Sequence, residues 1–471
     1  MSQPNILFIY SDQHRADVMG CAGNSLIETP NLDRLANEGV RFTNAWTESP
    51  ICQPARTSLL TGKYPHQHGI IGNFTGECDP AWQTYPKNLQ QAGYTTAVIG
   101  KTHYSNWPMG KEKEPAPSDE WLESFGYDHV VEEFDRYVHI NYETPYTQFV
   151  KDRGDFEAYQ QAVRDRFRIG DRHWEAVTSP LPQELDLTSF LTSEAQSWLQ
   201  AQSEDKPWFL NLAFVQPHVP LMGDPQWAEF YKNVMIPRST TAIPESGIES
   251  WAQHLEVLRK HSHSELLTDE FVLAGARQYY AMVSLIDQKI GELLDSLEAR
   301  GELDNTLIIY ASDHGEMLGD HGLMAKMCFY KSSVRIPMII RPPGGSEPMV
   351  CDSPVQAFDM VPTMLDAAGA ASMKDSPAES LLPLLNGETH SARELAHSMI
   401  RIRPDMPTWV AVTDGNYRLT YEKSTQECVE LFDLNSDPNE NENLIGASSA
   451  EAERQRLLEL SLGTVYLSPT T

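Results

Sequence analysis

Residues 5–14 read NILFIYSDQH, an unbroken apolar run that stops at Ser11 and Asp12. A run of this length with no alternating polar residue is typical of a strand buried on both faces of a parallel sheet. Residues 306–315 read TLIIYASDHG and repeat the pattern much later in the chain, again ending in Ser-Asp. The two stretches predict two central strands of one buried sheet.

Further apolar runs, among them one that predicts a strand over 40–46, alternate with helical patterns along the chain. The longest helical pattern, over about 274–300, repeats apolar residues with a 3.6-residue period. This alternation predicts an α/β fold, a mostly parallel sheet sandwiched by helices. Shorter strands near 409–413, 417–421 and 429–433 predict a smaller C-terminal α+β subdomain. We expect a catalytic domain over 1–375, with an aromatic-rich insertion over the site at about 105–180, and the subdomain over 376–471.

Four of the predicted strands end in an isolated polar residue, namely Asp12, Lys101, His218 and Asp313. The carboxyl ends of parallel strands meet at one edge of a sheet, where ligands bind in folds of this class. The sequence therefore predicts a site at that edge, built from residues far apart in the chain.

Residues 50–62 read PICQPARTSLLTG and add a reactive side chain to that edge. Pro54 suits the first turn of a helix, which places Cys52 at the helix N-terminus, where backbone N–H groups favour an anion. Arg56 follows one turn later and adds a fixed cation for an oxyanion. These features predict a nucleophile facing an anionic group. The alternative is that Cys52 is a small buried apolar residue.

The two buried strands place two carboxylates side by side, Asp12 and Asp313. Two such groups repel each other unless a cation lies between them. Gln13 and His314 follow directly and add donor atoms. A mostly oxygen ligand set suits a hard divalent cation such as calcium, while the histidine leaves manganese and zinc as alternatives. Alternatively, these residues only cap the turns after the strands.

The composition excludes several partners. Lys plus Arg is 36 and Asp plus Glu is 66, a formal charge of −30, which repels nucleic acid and anionic membranes. The six cysteines show no metal-finger or disulfide spacing. No signal peptide or membrane span is apparent, so we expect a cytoplasmic protein, or a periplasmic or secreted one if a leader was removed.

A polar stretch up to about residue 270 holds three histidines, His254, His261 and His263. We expect the three imidazoles to be solvated and not to bind a metal.

The Cys-x-Pro-x-Arg word followed by Leu-Thr-Gly resembles the signature of the type I sulfatases, in the alkaline phosphatase superfamily. Residues 93–103, GYTTAVIGKTH, are similar to the second sulfatase signature, Gly-Tyr-x-Thr-x3-Gly-Lys-x-His. QPHVP and LMAKM, which contain His218 and Lys326, are similar to later conserved words of the family. The family often has Ser at Ala55 and Arg at Lys63, outside the Cys-Pro-Arg core.

This resemblance implies that a maturase oxidises Cys52 to formylglycine, whose hydrate is the nucleophile. It also implies that Arg56 favours ionisation of one hydroxyl of the hydrate and that Lys101 and Lys326 contact the sulfate oxygens. His103 is implied to accept a proton from the second hydroxyl. His218 and Lys326 are implied to act on the leaving alcohol. The implied divalent-cation ligands are Asp12, Gln13, Asp313 and His314, with Gln13 where many members have a second aspartate.

The expected activity is hydrolysis of a sulfate monoester of an aryl, carbohydrate or small alcohol. The alternative within the superfamily is a phosphonate monoester or phosphodiester hydrolase, a branch that keeps Asp-Gln but usually lacks the Lys-x-His word. A non-catalytic protein that binds a metal and an anion is a further alternative. Expected partners are the anionic ester and the maturase; a homo-oligomer is compatible with the sequence.

Overall fold

The computed structural model describes residues 3–106, 118–167, 175–203, 205–238, 240, 243–244, 247–387 and 393–464. Parts of the expected insertion, 107–117 and 168–174, lie outside these residues. All six cysteines are free thiols. Among the described helices, none is both long enough and apolar enough to cross a membrane.

The strands are β1 Asn5–Ser11, β2 Val40–Phe42, β3 Ala45–Trp46, β4 Thr95–Gly100, β5 His129–Glu132, β6 Val177–Thr178, β7 Trp208–Ala213, β8 Met222–Gly223, β9 Thr306–Ser312, β10 Met338–Arg341, β11 Met349–Cys351, β12 Val355–Gln356, β13 Ala396–Ile400, β14 Trp409–Thr413, β15 Tyr417–Glu422 and β16 Cys428–Asp433. In the described residues, eight of them form a sheet in the order β11-β2-β10-β9-β1-β7-β4-β5. Only β10 runs against its neighbours in this sheet. The sheet is therefore mostly parallel, as predicted.

The two similar stretches of sequence are adjacent central strands. β1 and β9 pair in parallel register, from Asn5 opposite Thr306 to Ser11 opposite Ser312, and every residue of both strands is buried. The register brings Asp12 and Asp313, the next residue of each strand, to the same edge.

The helices are α1 Pro30–Asn37, α2 Cys52–Thr61, α3 Pro65–His68, α4 Tyr85–Gln91, α5 Asp119–Glu123, α6 Pro145–Lys151, α7 Phe156–Phe167, α8 Leu187–Gln200, α9 Pro225–Tyr231, α10 Glu249–His261, α11 Asp269–Ala299, α12 Lys331–Val334, α13 Met360–Ala368, α14 Leu382–Leu385 and α15 Glu451–Gly463. Side chains of β1 alternate between two apolar clusters. Ile6 and Phe8 pack on one face with α2, α4 and α13. Leu7 and Ile9 pack on the other with α1, α8 and α11. Helices thus cover both faces.

The C-terminal part has its own antiparallel sheet, in the order β13-β14-β15-β16. One face of β14 packs Val410 and Val412 against Leu457 of α15. The other face packs Trp409 against Trp251 of α10 and apolar residues of the segment 317–334. The sheet and α15 have the composition expected of an α+β subdomain, while the boundary at residue 376 stays a prediction.

Three expectations from the sequence were wrong. The run 40–46 is two strands, because β3 leaves the main sheet and pairs with β12. The segment 105–180 is not wholly an insertion, since β5 forms an edge of the main sheet beside β4. His254 is not solvated: it is buried on α10, stacks on Trp251 and hydrogen-bonds through Nε2 to the Met327 carbonyl.

Candidate active site

Cys52 is the first residue of α2 and is fully buried at the carboxyl edge of the sheet. Ile51 before it is extended, and Pro54 lies in the first turn, as the sequence predicted. The Cys52 Sγ lies 3.2 Å from the His314 Nε2 and 4.0 Å from an Asp12 carboxylate oxygen. Burial, together with Asp12, raises the pKa of the Cys52 thiol to about 12. The thiol is therefore neutral at pH 7.

Arg56 links the two aspartates that follow β1 and β9. Its Nε donates to the Asp313 Oδ2 at 2.9 Å, and an Nη donates to the Asp12 Oδ2 at 3.2 Å. The other Nη donates to the Lys101 carbonyl at 2.5 Å. All of these groups are buried. Because Arg56 takes one oxygen of each carboxylate, the second oxygen of each is left to face the site.

Those second oxygens form a compact donor group with His314 and Cys52. The His314 Nε2 lies 3.9 Å from the Asp12 Oδ1 and 3.7 Å from the Asp313 Oδ1. One donor atom from each of the four residues falls within 4.8 Å of the others. Neighbouring ligands of an ion bound at about 2.3–2.6 Å have separations of this kind. The donors present therefore fit a divalent cation.

The protonation state of His314 suits a metal ligand. Its Nδ1 lies 2.9 Å from the Gly315 carbonyl, to which it donates, so the Nε2 lone pair points at the carboxylates. Burial lowers its pKa to about 4, so the ring is neutral. Asp12 is ionised, because Lys101 and other nearby cations outweigh burial and hold its pKa well below the ordinary value.

Gln13 lies in the same pocket with a left-handed backbone, φ 69°. Its side-chain oxygen accepts from the Lys326 Nζ at 2.5 Å, and its amide nitrogen contacts Glu316. Glu316 also accepts from the backbone N–H groups of Leu318 and Ala325. This carboxylate therefore ties the loop that carries Lys326 to Gln13.

Lys101 directly follows β4 and is fully buried. Its Nζ contacts Asp12 and donates to Asp135 Oδ1 at 2.7 Å. Burial acts to lower its pKa, but Asp12 and Asp135 outweigh that effect and hold the pKa above the ordinary value. Lys101 therefore stays charged in the site.

His103 and His218 complete the group of residues expected from the sequence. His103 is buried near Phe74, with ring centroids 5.9 Å apart, and has a φ of 57°. Burial, then Lys101, hold its pKa well below the ordinary value. The His218 Nδ1 lies 3.0 Å from the Val219 carbonyl and 3.5 Å from Asp135. Burial, then Lys326, likewise lower its pKa well below the ordinary value.

The structure thus brings all ten residues of the expected site together, and two more that the sequence analysis missed. Asp135 follows β5 by three residues and joins Lys101 to His218. Glu316 follows Asp313 by three residues. Asp135 could have been predicted as the other strand-end residues were, from a polar residue just beyond an apolar run. It was missed because residues 129–132 lie in the stretch predicted to be an insertion.

Comparison with known proteins finds relatives over nearly the whole chain. The family model described as Sulfatase matches residues 4–370, and the model described as N-sulphoglucosamine sulphohydrolase, C-terminal, matches residues 319–463. An arylsulfatase from Clostridium perfringens is 30% identical over 461 residues, covering 94% of this chain and 91% of that protein. An N-acetylglucosamine-6-O-sulfatase from Bacteroides thetaiotaomicron is 28% identical over 491 residues, covering 97% and 85%.

The solved structure of a phosphonate monoester hydrolase of Agrobacterium radiobacter is similar with a TM-score of 0.80, covering 98% of this chain and 96% of that one. At 24% identity this likeness shows the shared fold. The first family model covers more than half of the chain, and the arylsulfatase matches over nearly its whole length. The chain therefore belongs to the sulfatase family and is an enzyme that hydrolyses sulfate esters.

Proposed function

We propose that this enzyme cleaves a sulfate monoester at residue 52, after a maturase has oxidised Cys52 to formylglycine. The observation that carries the proposal is the placement of the Cys52 Sγ within 4.8 Å of donor atoms of Asp12, Asp313 and His314. A nucleophile and a cation-binding group then share one buried pocket. A divalent cation held by Asp12, Asp313 and His314 would lower the pKa of a hydroxyl on residue 52 and so favour its attack on sulfur.

We assign the cation site to Asp12, Asp313 and His314, with Gln13 as the fourth protein ligand. Calcium is the proposed ion, because three of these four ligands offer oxygen. The Gln13 side-chain oxygen also accepts from the Lys326 Nζ, and its second lone pair would be available to the ion.

The fixed cations of the site suit the sulfate group. Lys101 and Lys326 present ammonium groups beside Cys52, and Arg56 holds the two aspartates in place. Donors held in position before the substrate arrives stabilise charge that develops on the sulfate oxygens without reorganisation. We therefore assign sulfate binding to the two lysines and orientation of the carboxylates to Arg56.

The two histidines have different tasks in this proposal. His103 is neutral near pH 7 and takes a proton from the second hydroxyl of residue 52 when sulfate is released. His218 is also neutral, so its imidazole orients the leaving oxygen and the proton comes from Lys326.

A second candidate activity is hydrolysis of phosphonate monoesters, which the Asp12-Gln13 pair favours. Lys101 and His103 argue against it, because that branch usually lacks the Lys-x-His word. Both side chains are buried around the candidate nucleophile, where they act on the ester's anionic group. Among sulfate esters, the names of the relatives support aryl and carbohydrate sulfates as the classes to test.

The test uses protein made with and without a formylglycine-generating maturase. Peptide mass spectrometry should find an aldehyde at residue 52 only with the maturase, and only that sample should hydrolyse sulfate esters. Cys52→Ala made with the maturase is the matched control and should be inactive. Full activity in protein that carries only unmodified cysteine would contradict the proposal.

The matured enzyme is then tested on aryl sulfates, sulfated sugars, choline sulfate and phosphonate monoesters. We expect the highest kcat/KM on a sulfate ester. A higher value on a phosphonate monoester than on every sulfate ester would favour the second candidate.

A further inference from the structure

A cavity of about 300 Å³ lies outside the group of residues around Cys52. It is formed where the segment after β1, the end of β2 and the helix α12 meet, and none of the ten expected site residues lines it. Three of its lining residues are cationic, Arg41, Lys331 and Arg335. Three cations around one cavity are unexpected in a chain whose formal charge is −30.

No carboxylate of the described residues forms an ion pair with any of these three cations. Lys331 donates to the Pro438 carbonyl and to the Asn439 side-chain oxygen at 2.7 Å, both neutral acceptors. Arg335 donates to the Thr43 carbonyl through one Nη, while its buried Nε has no hydrogen-bond partner. A buried N–H group on a charged guanidinium costs free energy unless an acceptor reaches it.

The acidic groups near the cavity are already engaged elsewhere. Asp17, which also lines it, accepts from the Arg15 Nε at 2.8 Å and from a second Arg15 nitrogen at 2.7 Å. Glu440 accepts from the Lys331 backbone N–H and from Arg418. Asp352 accepts from the Thr43 hydroxyl. Arg15 also pairs with Asp320, and Arg418 with Glu430, so the surrounding carboxylates offset part of the positive charge. The lining of the cavity itself carries three cations against one carboxylate, and an anion from solution can neutralise this local excess.

We propose that this cavity binds a tetrahedral oxyanion, a sulfate or phosphate group, through Arg41, Lys331 and Arg335. Guanidinium groups present paired N–H donors that match two oxygens of such a group, and an ammonium adds a point charge. The cavity volume accommodates an ion of this size. The source is either free inorganic anion or an anionic group on a larger substrate whose ester is bound at Cys52.

The first test counts bound sulfate by calorimetric titration with sodium sulfate, at constant ionic strength set with sodium chloride. The active site is itself expected to bind sulfate, so the informative quantity is the difference between proteins. Arg41→Gln should bind one sulfate fewer than the wild type, with an unchanged inhibition constant for sulfate in turnover. Lys232→Gln, an exposed lysine paired with Glu229, is the control and should bind as the wild type does.

Thermal unfolding separates a binding role from a structural one. Arg41 has no carboxylate partner, so Arg41→Gln removes like-charge repulsion and should keep or raise the Tm without oxyanion. Addition of millimolar sulfate should then raise the wild-type Tm more than that of the variant, because any general salting effect acts equally on both. Lys331→Gln should show the same smaller sulfate-induced increment, although loss of its hydrogen bonds to Pro438 and Asn439 should lower its Tm without sulfate. Equal stoichiometry and equal Tm increments in wild type and both variants would overturn the proposal.

Turnover distinguishes the two sources. If the group belongs to the substrate, Arg41→Gln should raise KM for a sulfated oligosaccharide and leave KM for 4-nitrophenyl sulfate unchanged. If the ligand is a free ion, both KM values should stay the same while the loss of one bound sulfate persists.

Discussion

At the scale of single residues, Asp313 uses its two carboxylate oxygens for different contacts. One oxygen binds Arg56, and the other accepts from the backbone N–H groups of Gln13 and His314 at 3.0 and 2.9 Å while facing the candidate cation site. The residue thus combines a structural contact with a ligand position.

Asp313→Asn should lose the bound cation and the activity together, because a neutral amide does not offset the charge of a divalent ion. Metal analysis of the purified protein and kcat measured with added calcium check this. Asp287→Asn is a matched control, since Asp287 is buried on α11 and accepts from the N-terminal N–H groups of α1, away from Cys52. Full metal content in Asp313→Asn would refute the ligand assignment.

His103 gives a prediction about pH. A general base must be neutral, and protonation as the pH falls through its pKa abolishes its action. Burial and Lys101 hold that pKa well below its usual 6.5, so the acid limb of the kcat profile should lie well below pH 6.5. His103→Ala should be much slower and should lose that limb. A wild-type profile that already falls by half near pH 6.5 would contradict the assignment.

At the scale of elements, β5 brings Asp135 into the site. Asp135→Asn keeps the shape of the side chain but removes the charge that faces Lys101. A hydrogen bond to a charged group contributes about 1.5–3 kcal/mol, so kcat/KM should fall roughly 10- to 100-fold. Metal content should be unchanged, since Asp135 is not one of the proposed ligands. Loss of metal in this variant, or unchanged kinetics, would contradict this role.

The helix α11 illustrates packing by a single element. Ile290 is fully buried between the sheet and α8 in the second apolar cluster. Ile290→Ala should lower the free energy of unfolding by about 2–5 kcal/mol, through lost burial and the cavity left behind. Denaturant unfolding measures the change. Glu298→Ala on the same helix is the control and should be nearly neutral, because that side chain is mostly exposed.

At the scale of the whole molecule, the formal charge of −30 governs the response to salt. Like charges over one surface repel, and salt screens them over about 10 Å at 0.1 M. Raising sodium chloride from about 0.01 to 0.3 M shortens the screening length from about 30 Å to about 6 Å and should increase the Tm. Differential scanning calorimetry with metal held constant checks this, and a steady decrease in Tm would show that specific ion pairs outweigh the general repulsion.

Local patterns in the sequence determined the central strands and the edge at which the site forms. β1 and β9 are unbroken apolar runs because both of their faces are buried, and the polar residue after each run marks the carboxyl edge of the sheet, where ligands bind. Parallel strands end at one edge, so the meeting of Asp12, Lys101, His218 and Asp313 was predictable before any contact was known. Pro54 also predicted the helix that starts at Cys52.

Only the tertiary structure decided which other side chains lie in the site, in the core or around the second cavity. β5 is a short edge strand with intermediate burial, so its run is too weak to separate from a loop, and Asp135 was missed with it. His254 lies in a polar stretch but is buried, because α10 packs Trp251 against the C-terminal sheet. Arg41, Lys331 and Arg335 come from separate segments, and no local period links them. Contacts of this kind depend on how loops and distant elements meet, which neighbouring residues do not encode.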